Sequence, residues 1–136
     1  MPAMNNFQLP IRVYIEDTDA GGIVFYANYL KYFERARTEF IRSLDFELRA
    51  CMSDNINFVV HSLDLKYLQP ARLDELVQVS AKIKERGRSF MLFEQAVKNS
   101  QGEVLVKGHV KVACVNFDTG KPRALPQELL NKLDGS

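Results

Sequence analysis

From Asn28 to Asp45 the apolar residues recur at spacings of three and four. Tyr29, Leu30, Phe33, Ala36, Phe40, Ile41 and Leu44 make one stripe, and Lys31, Arg35, Glu39 and Arg42 fall opposite it. That period predicts an amphipathic helix of about five turns, the one long helix in the chain. Glu39 stands four residues from Arg35, which predicts a weak surface pair. Elsewhere the period is two. Ile11 to Ile15, apolar and mostly β-branched or aromatic, reads as a first strand that runs into a turn over Asp17–Gly22. After the helix come "INFVVHSLDLKYL", "LVQVSAKIKE", "SFMLFEQAVK" and "EVLVKGHVKVACVNF", divided by the turn-rich "PARLDE", "ERGR" and "NSQG". "SFMLFEQAVK" is apolar on both faces at its start, so it needs cover on both sides. The last three strands read as an antiparallel meander, and "PQELLNKL" as a short helix with Pro126 at its first turn.

Strand, long helix, then four strands predicts an α+β protein of two layers: a five-stranded antiparallel sheet wrapped around one long helix, the hot-dog fold. A length of 136 residues suits one domain spanning residues 1–136. Eighteen basic residues against 17 acidic ones give a net charge of +1, which argues against a general nucleic-acid binder but leaves room for a local basic patch. "MPAMNNFQLP" has no basic segment followed by an apolar run, and no stretch approaches the ~18 apolar residues of a membrane span. Cys51 and Cys114 are too few for a disulfide framework, and no His or Cys cluster has zinc spacing. Two buried thiols in a reducing cytoplasm, with no metal and no cofactor, is the expectation.

The chemistry concentrates in "EDTDAGGIVFYANYLKYFERARTEF", Glu16 to Phe40. Two readings stand for Asp17 and Asp19. One is structural: Asp and Thr cap helices, and Gly21 and Gly22 supply unusual backbone angles. The other is catalytic. A helix start presents unpaired N–H groups and the positive end of its dipole, which together hold a developing oxyanion. A carboxylate just upstream acts on the same carbonyl as nucleophile or general base, and glycine lets the backbone approach a ligand closely. These parts make an acyl-transfer site without Ser, Cys or metal.

The same stretch, with its "D-x-D-x-x-G-x-V-x-Y-x-N-Y" pattern, resembles the signature of the 4-hydroxybenzoyl-CoA thioesterase family, closest to the YbgC-like acyl-CoA thioesterases associated with the bacterial Tol-Pal system. "FVVHSLDLKYLQPARLDE" and "RGRSF" resemble later family segments, so the likeness runs from about Gln8 to Asn116. It implies a hot-dog fold, dimers that join into tetramers, and hydrolysis of an acyl-CoA thioester to a carboxylate and free coenzyme A. It puts the catalytic aspartate at Asp19 and the backbone oxyanion donor at Tyr26. The YbgC-like group commonly carries His at the position of Tyr26 and Ser at that of Asn28. Here Tyr and Asn look more like the 4-hydroxybenzoyl-CoA enzyme, so no histidine acid–base role carries over, and Asn28 is the candidate to orient water.

Around these stand the remaining candidates. Gly22, Phe25, Tyr29 and Phe58 are expected to line the substrate channel. Arg86 and Arg88, in the "KERGR" turn beside Lys84, are candidates for the phosphates of coenzyme A, since Arg suits bidentate phosphate contacts. Glu34 reads either as a half-covered polar residue or as a group that positions water. His61 and His109 read as structural, and Asp64, between Leu63 and Leu65, as part of a solvated face. Three functions compete: an acyl-CoA thioesterase, for fatty or short acyl groups or for an aromatic one; a non-catalytic acyl-thioester-binding protein; and a hot-dog dehydratase. Asp19 favours catalysis over binding alone, and the lack of His in the signature disfavours the dehydratase.

Overall fold

The computed structural model describes residues 7–135. Its order is β1 (Gln8–Arg12), α1 (Tyr29–Ser43), α2 (Leu48–Ser53), β2 (Ile56–Tyr67), β3 (Leu76–Ser80), β4 (Lys82–Arg86), β5 (Phe90–Lys98), β6 (Val104–Asn116) and α3 (Gln127–Gly135), with 3-10 turns at Ile15–Asp17 and Tyr26–Asn28. The strands form one antiparallel sheet in the order β1-β3-β5-β6-β2, and β4 also pairs with β5. The hot-dog expectation holds: one sheet packs on one long helix, and a single core cluster draws residues from Ile11 to Leu129.

The run "LVQVSAKIKE" is one strand in the pattern and two in space. Ala81 is buried, and at Ser80 side chains replace ladder bonds: the Ser80 hydroxyl accepts the Ala96 N–H at 3.0 Å and Gln95 donates to the Ser80 carbonyl at 3.1 Å, so β3 pairs with β1 and β5 while β4 continues along β5. β5, β6 and the β3–β4 ribbon form the expected meander. β1 begins earlier than its apolar run suggests. Tyr14 and Ile15 are 61% and 76% exposed, and the Asp17 carboxylate accepts the Tyr14 N–H at 2.9 Å, which ends the strand in a 3-10 turn.

Helix α1 buries Tyr29, Tyr32, Phe33, Ala36, Phe40 and Ile41. Tyr32 takes the place that the stripe gave to Leu30, which is exposed. Each large side chain buried here contributes about 1.5–3 kcal/mol. Phe40 adds edge-on contacts to Phe93 at 6.0 Å and Phe7 at 5.8 Å between ring centroids. On the outer face Glu39 pairs with Arg42 rather than Arg35. Helix α2, absent from the sequence expectation, is six residues long and sets Cys51 in the core.

Strand β5 is central, with alternate residues from Met91 to Val97 buried and the opposite face of its apolar start, Phe90 and Leu92, half-buried. A more exposed apolar row lies on β2, where Val59, Val60, Leu63 and Tyr67 are 38–48% exposed. A bulge at His61 shifts the register between Val60 and Ser62, so that Phe58 and Val60 before it and Leu63, Leu65 and Tyr67 after it all lie opposite buried residues of β6, while Asp64 and Lys66 alternate outward as the sequence suggests.

Gly108 on β6 is set by close approach. A Cβ there would meet the Asp64 carbonyl oxygen of β2 at 2.0 Å. Gly108→Ala should therefore destabilise the fold by on the order of 3 kcal/mol, read as a lower denaturant midpoint at unchanged slope.

Candidate active site

Residues Thr18–Val24 form a tight hairpin. Thr18 bridges Val24, the Asp19 N–H bonds the Ile23 carbonyl at 2.9 Å, and the Gly22 N–H returns to the Asp19 carbonyl at 3.0 Å. Gly22 sits at φ 78°, where a side chain would be strained. The hairpin leans on residues 71–73: the Val24 N–H bonds the Ala71 carbonyl at 2.9 Å and the Leu73 N–H bonds the Gly22 carbonyl at 3.0 Å.

The two aspartates divide sharply. Asp17 is buried, with its carboxylate on the Tyr14 N–H, and its carbonyl accepts both the Phe25 N–H and the Asn28 Nδ2–H at 2.9 Å. It ties the loop to the helix start. The buried Tyr32 hydroxyl lies near enough to Asp17 to feel its charge, but outside hydrogen-bond geometry. Burial first, then Asp17, raise that phenol well above its ordinary range. Asp19 is exposed at the hairpin tip. Its Oδ1 accepts the Gly21 N–H at 2.8 Å, which fixes the carboxylate's direction, while Oδ2 accepts no hydrogen bond among the described residues.

The helix start is left uncapped by side chains. Asn28 occupies the N-cap position of α1, yet its amide is turned to the Asp17 carbonyl, and Phe25 does not cap the preceding 3-10 turn. Among the described residues no acceptor takes the N–H of Tyr26 or of Ala27. The Tyr26 ring is 64% exposed and meets the Tyr67 ring edge-on at 6.4 Å, while the Tyr67 hydroxyl donates to the Tyr26 carbonyl at 3.1 Å. Tyr67 had no signal beyond its place in an alternating strand. Phe25, 45% exposed, packs on Tyr26 at 4.8 Å. Tyr29, a channel-wall residue by expectation, is instead 2% exposed, and its hydroxyl accepts the Ala71 N–H at 3.0 Å, so it packs inside the protomer.

Asp19, Gly22, Phe25, Tyr26 and Asn28 thus gather at one end of the protomer. Arg86 and Arg88 do not join them. They lie on the β4–β5 turn, in line through Phe90 and Ala113 with Val59 at the start of β2, about 25 Å of strand from Tyr67. Arg86 is engaged in a two-pronged pair with Asp134 of α3 at 2.8 and 2.9 Å. The exposed guanidinium of Arg88 has no hydrogen bond or ion pair among the described residues. Near the start of β2 a cavity of about 180 Å³ opens between α1 and the sheet. Glu34, Arg37, Thr38 and Val60 stand at its more exposed side, and Ile41, Met91, Phe93 and Leu129 line its depth, with Phe58 between. The Arg37 guanidinium donates to Gln95 Oε1 at 3.0 Å, and burial lowers its pKa. Gln95, 1% exposed, donates in turn to the carbonyls of Phe33 and Ser80.

His61 is exposed at the bulge beside Ser62. His109 lies on the outer sheet face, 3.4 Å from Asp64 and 3.6 Å from Glu94. Neither touches the Asp19 hairpin. Among the described residues no group of three or more His, Cys, Asp or Glu is placed to hold a metal, and no helix is long and apolar enough to cross a membrane.

Gly21, Gly22 and the helix start fall inside residues 21–106, which match the family model of the thioesterase superfamily; Asp19 lies two residues upstream of that match. The chain belongs to the thioesterase superfamily. It is 44% identical over 126 residues to the acyl-CoA thioesterase YbgC of Haemophilus influenzae, covering 92% of each chain. It is 40% identical over 124 residues to the acyl-CoA thioester hydrolase YbgC of Escherichia coli, covering 91% of this chain and 92% of that one. A solved DHNA-CoA thioesterase from Staphylococcus aureus superposes with a TM-score of 0.86 at 25% identity, over 94% of this chain and 90% of the other. The superfamily match and the superposition agree with the sheet and helix described above.

Proposed function

We propose that the protein hydrolyses acyl-CoA thioesters to a carboxylate and free coenzyme A, with Asp19 as nucleophile or general base and the Tyr26 N–H as oxyanion donor. One observation carries this reading: of the two aspartates only Asp19 is presented to solvent, on a hairpin braced beside a helix start whose first N–H groups are unclaimed. The thioester carbonyl oxygen takes the Tyr26 N–H, a donor of the kind worth about 10²–10³ in rate. Asp19 then attacks the carbonyl carbon, or removes a proton from a water that does. In the first case a mixed anhydride forms as the thiolate leaves, and water then cleaves the anhydride to release the acyl carboxylate and restore Asp19; in the second a tetrahedral intermediate collapses with loss of the thiolate. Asn28 keeps Oδ1 free while Nδ2 is held, so its amide faces a water in a fixed sense. Names borne by the relatives, acyl-CoA thioesterase and acyl-CoA thioester hydrolase, support the substrate class. Thiol release over a panel of acyl-CoA esters tests it. Measurable binding with no turnover on any ester would make this a binding protein.

The site is completed by a second copy. Strand β2 is an edge, and pairing it antiparallel with its own copy sets the Tyr67 end of one strand against the Phe58 end of the other. Asp19 and Tyr26 of one protomer then face the cavity and the Arg88 turn of its partner, at the subunit boundary. Dimers of this kind join into the tetramer of the family pattern. Arg88→Ala should raise KM for acyl-CoA about tenfold with little change in kcat, because a phosphate contact is made equally in ground and transition states. Arg86→Ala, already bound to Asp134, should act on stability instead. Equal KM effects at both positions would refute this division.

The longer part of the signature favours fatty or short acyl groups over 4-hydroxybenzoyl, against the Tyr26 and Asn28 pair. Competing the two esters in one reaction compares kcat/KM directly. A preference for 4-hydroxybenzoyl-CoA above tenfold, about 1.4 kcal/mol, would reverse the assignment and make Tyr26 and Asn28 its determinants. We place the enzyme in the cytoplasm, in keeping with two buried free thiols.

A further inference from the structure

We infer that Leu129 of α3 and Leu48 of α2 close the far end of the acyl pocket and set the longest chain the enzyme accepts. This deepens the thioesterase reading and rests on it. The cavity between α1 and the sheet is apolar except along its exposed side, where Glu34, Arg37 and Thr38 stand. That polarity suits a chain that enters from a polar thioester and ends in hydrocarbon. Antiparallel pairing of β2 brings the partner's helix start to that side, so the acyl group reaches the pocket across the subunit boundary.

Two of the apolar lining residues come from the short helices, while Ile41 of α1 and Met91, Phe93 and Val112 of the sheet form the rest of the inner wall. Leu129 is fully buried, and Leu48 is half-buried against the core. The floor is held in place. Arg86 grips Asp134 on α3 with both carboxylate oxygens, and the Leu125 N–H bonds the Arg88 carbonyl at 2.8 Å. The same turn that offers Arg88 to a phosphate therefore anchors the helix that ends the pocket. The side wall is fixed as well, since Arg37 is locked by Gln95, itself tied to two backbone carbonyls. A pocket so braced discriminates by length, because extra methylenes have nowhere to go. At about 180 Å³ it exceeds the ~150 Å³ cavity that admits benzene, so it takes roughly six to eight carbons beyond its entrance.

The test is kcat/KM across straight-chain esters from acetyl- to palmitoyl-CoA, for the intact homo-oligomer and for Leu129→Ala and Leu48→Ala. Each substitution removes three carbons, and each methylene newly accommodated is worth about fourfold. Both variants should raise the ratio of long-chain to short-chain kcat/KM by on the order of tenfold or more and move the optimum to longer chains. Circular dichroism and thermal melts establish that each variant is folded, and Leu48→Ala, at a half-buried position, keeps the test open if Leu129→Ala melts early. Folded variants whose chain-length profile runs parallel to that of the original protein would overturn the inference while leaving the thioesterase reading intact. An original protein that cleaves no ester would remove both.

Discussion

Asp19→Asn is expected to lower kcat by on the order of 10²-fold or more while leaving the melting temperature nearly unchanged. The stability half follows from the geometry. Asn keeps an oxygen for the Gly21 N–H that Asp19 Oδ1 now accepts, and the side chain is exposed. The activity half follows because an amide is neither an effective base nor a nucleophile toward a thioester. Asp17→Asn should behave in the opposite way. Asp17 is buried, caps the Tyr14 N–H and lies beside the buried Tyr32 hydroxyl, so its loss should cost about 1 kcal/mol of stability and far less in rate. Steady-state kinetics and a thermal melt on both variants separate the roles. Equal rate losses at the two positions would show that the division within the pair is wrong.

That division was the least legible part of the chain. Both aspartates are turn formers by type, and spacing alone gives two readings for each. The resemblance favours the second, while the reason lies in three dimensions: the Asp17 carbonyl must receive Phe25 and Asn28 for the helix start to lie beside the hairpin. The architecture was far more legible, because a long 3.6-period stripe and four alternating runs each report burial directly. Errors came where burial and pattern part company. Tyr32 reads as polar by its hydroxyl yet sits in the core, and the bulge at His61, which lets Phe58 and Val60 share a face with Leu63 and Leu65, has no local signal. Cationic Arg86 and Arg88 look alike in sequence; only the position of Asp134, 48 residues beyond Arg86, tells them apart. Helix α2 is too short for a period to register. The cavity is assembled from α1, α2, α3 and three strands, so no local window contains it.

Light scattering should find a species of at least twice the 15.6 kDa chain mass, and Leu63→Asp should convert it to a folded monomer with activity lowered by on the order of 10²-fold. The two edges of the sheet differ in how they are protected. β1 is five residues long and contains Pro10, both devices that discourage edge pairing. β2 has twelve residues, no proline, and among the described residues pairs only with β6, which leaves a row of backbone donors and acceptors on its other side. Val59, Val60, Leu63 and Tyr67 are exposed along it, more apolar surface than a lone edge strand tolerates. A two-fold axis near the middle of β2 would satisfy both needs at once. Leu63, 45% exposed near that middle, would meet its own copy there, so an aspartate places two like charges face to face in a surface that must lose water. Activity falls with assembly because Asp19 and Tyr26 lie at one end of β2 while Arg88 and the cavity lie at the other, and only a partner brings the two ends together. A Leu63→Asp monomer that kept full activity, or an unaltered protein that was stable and active as a monomer, would rule out a shared site.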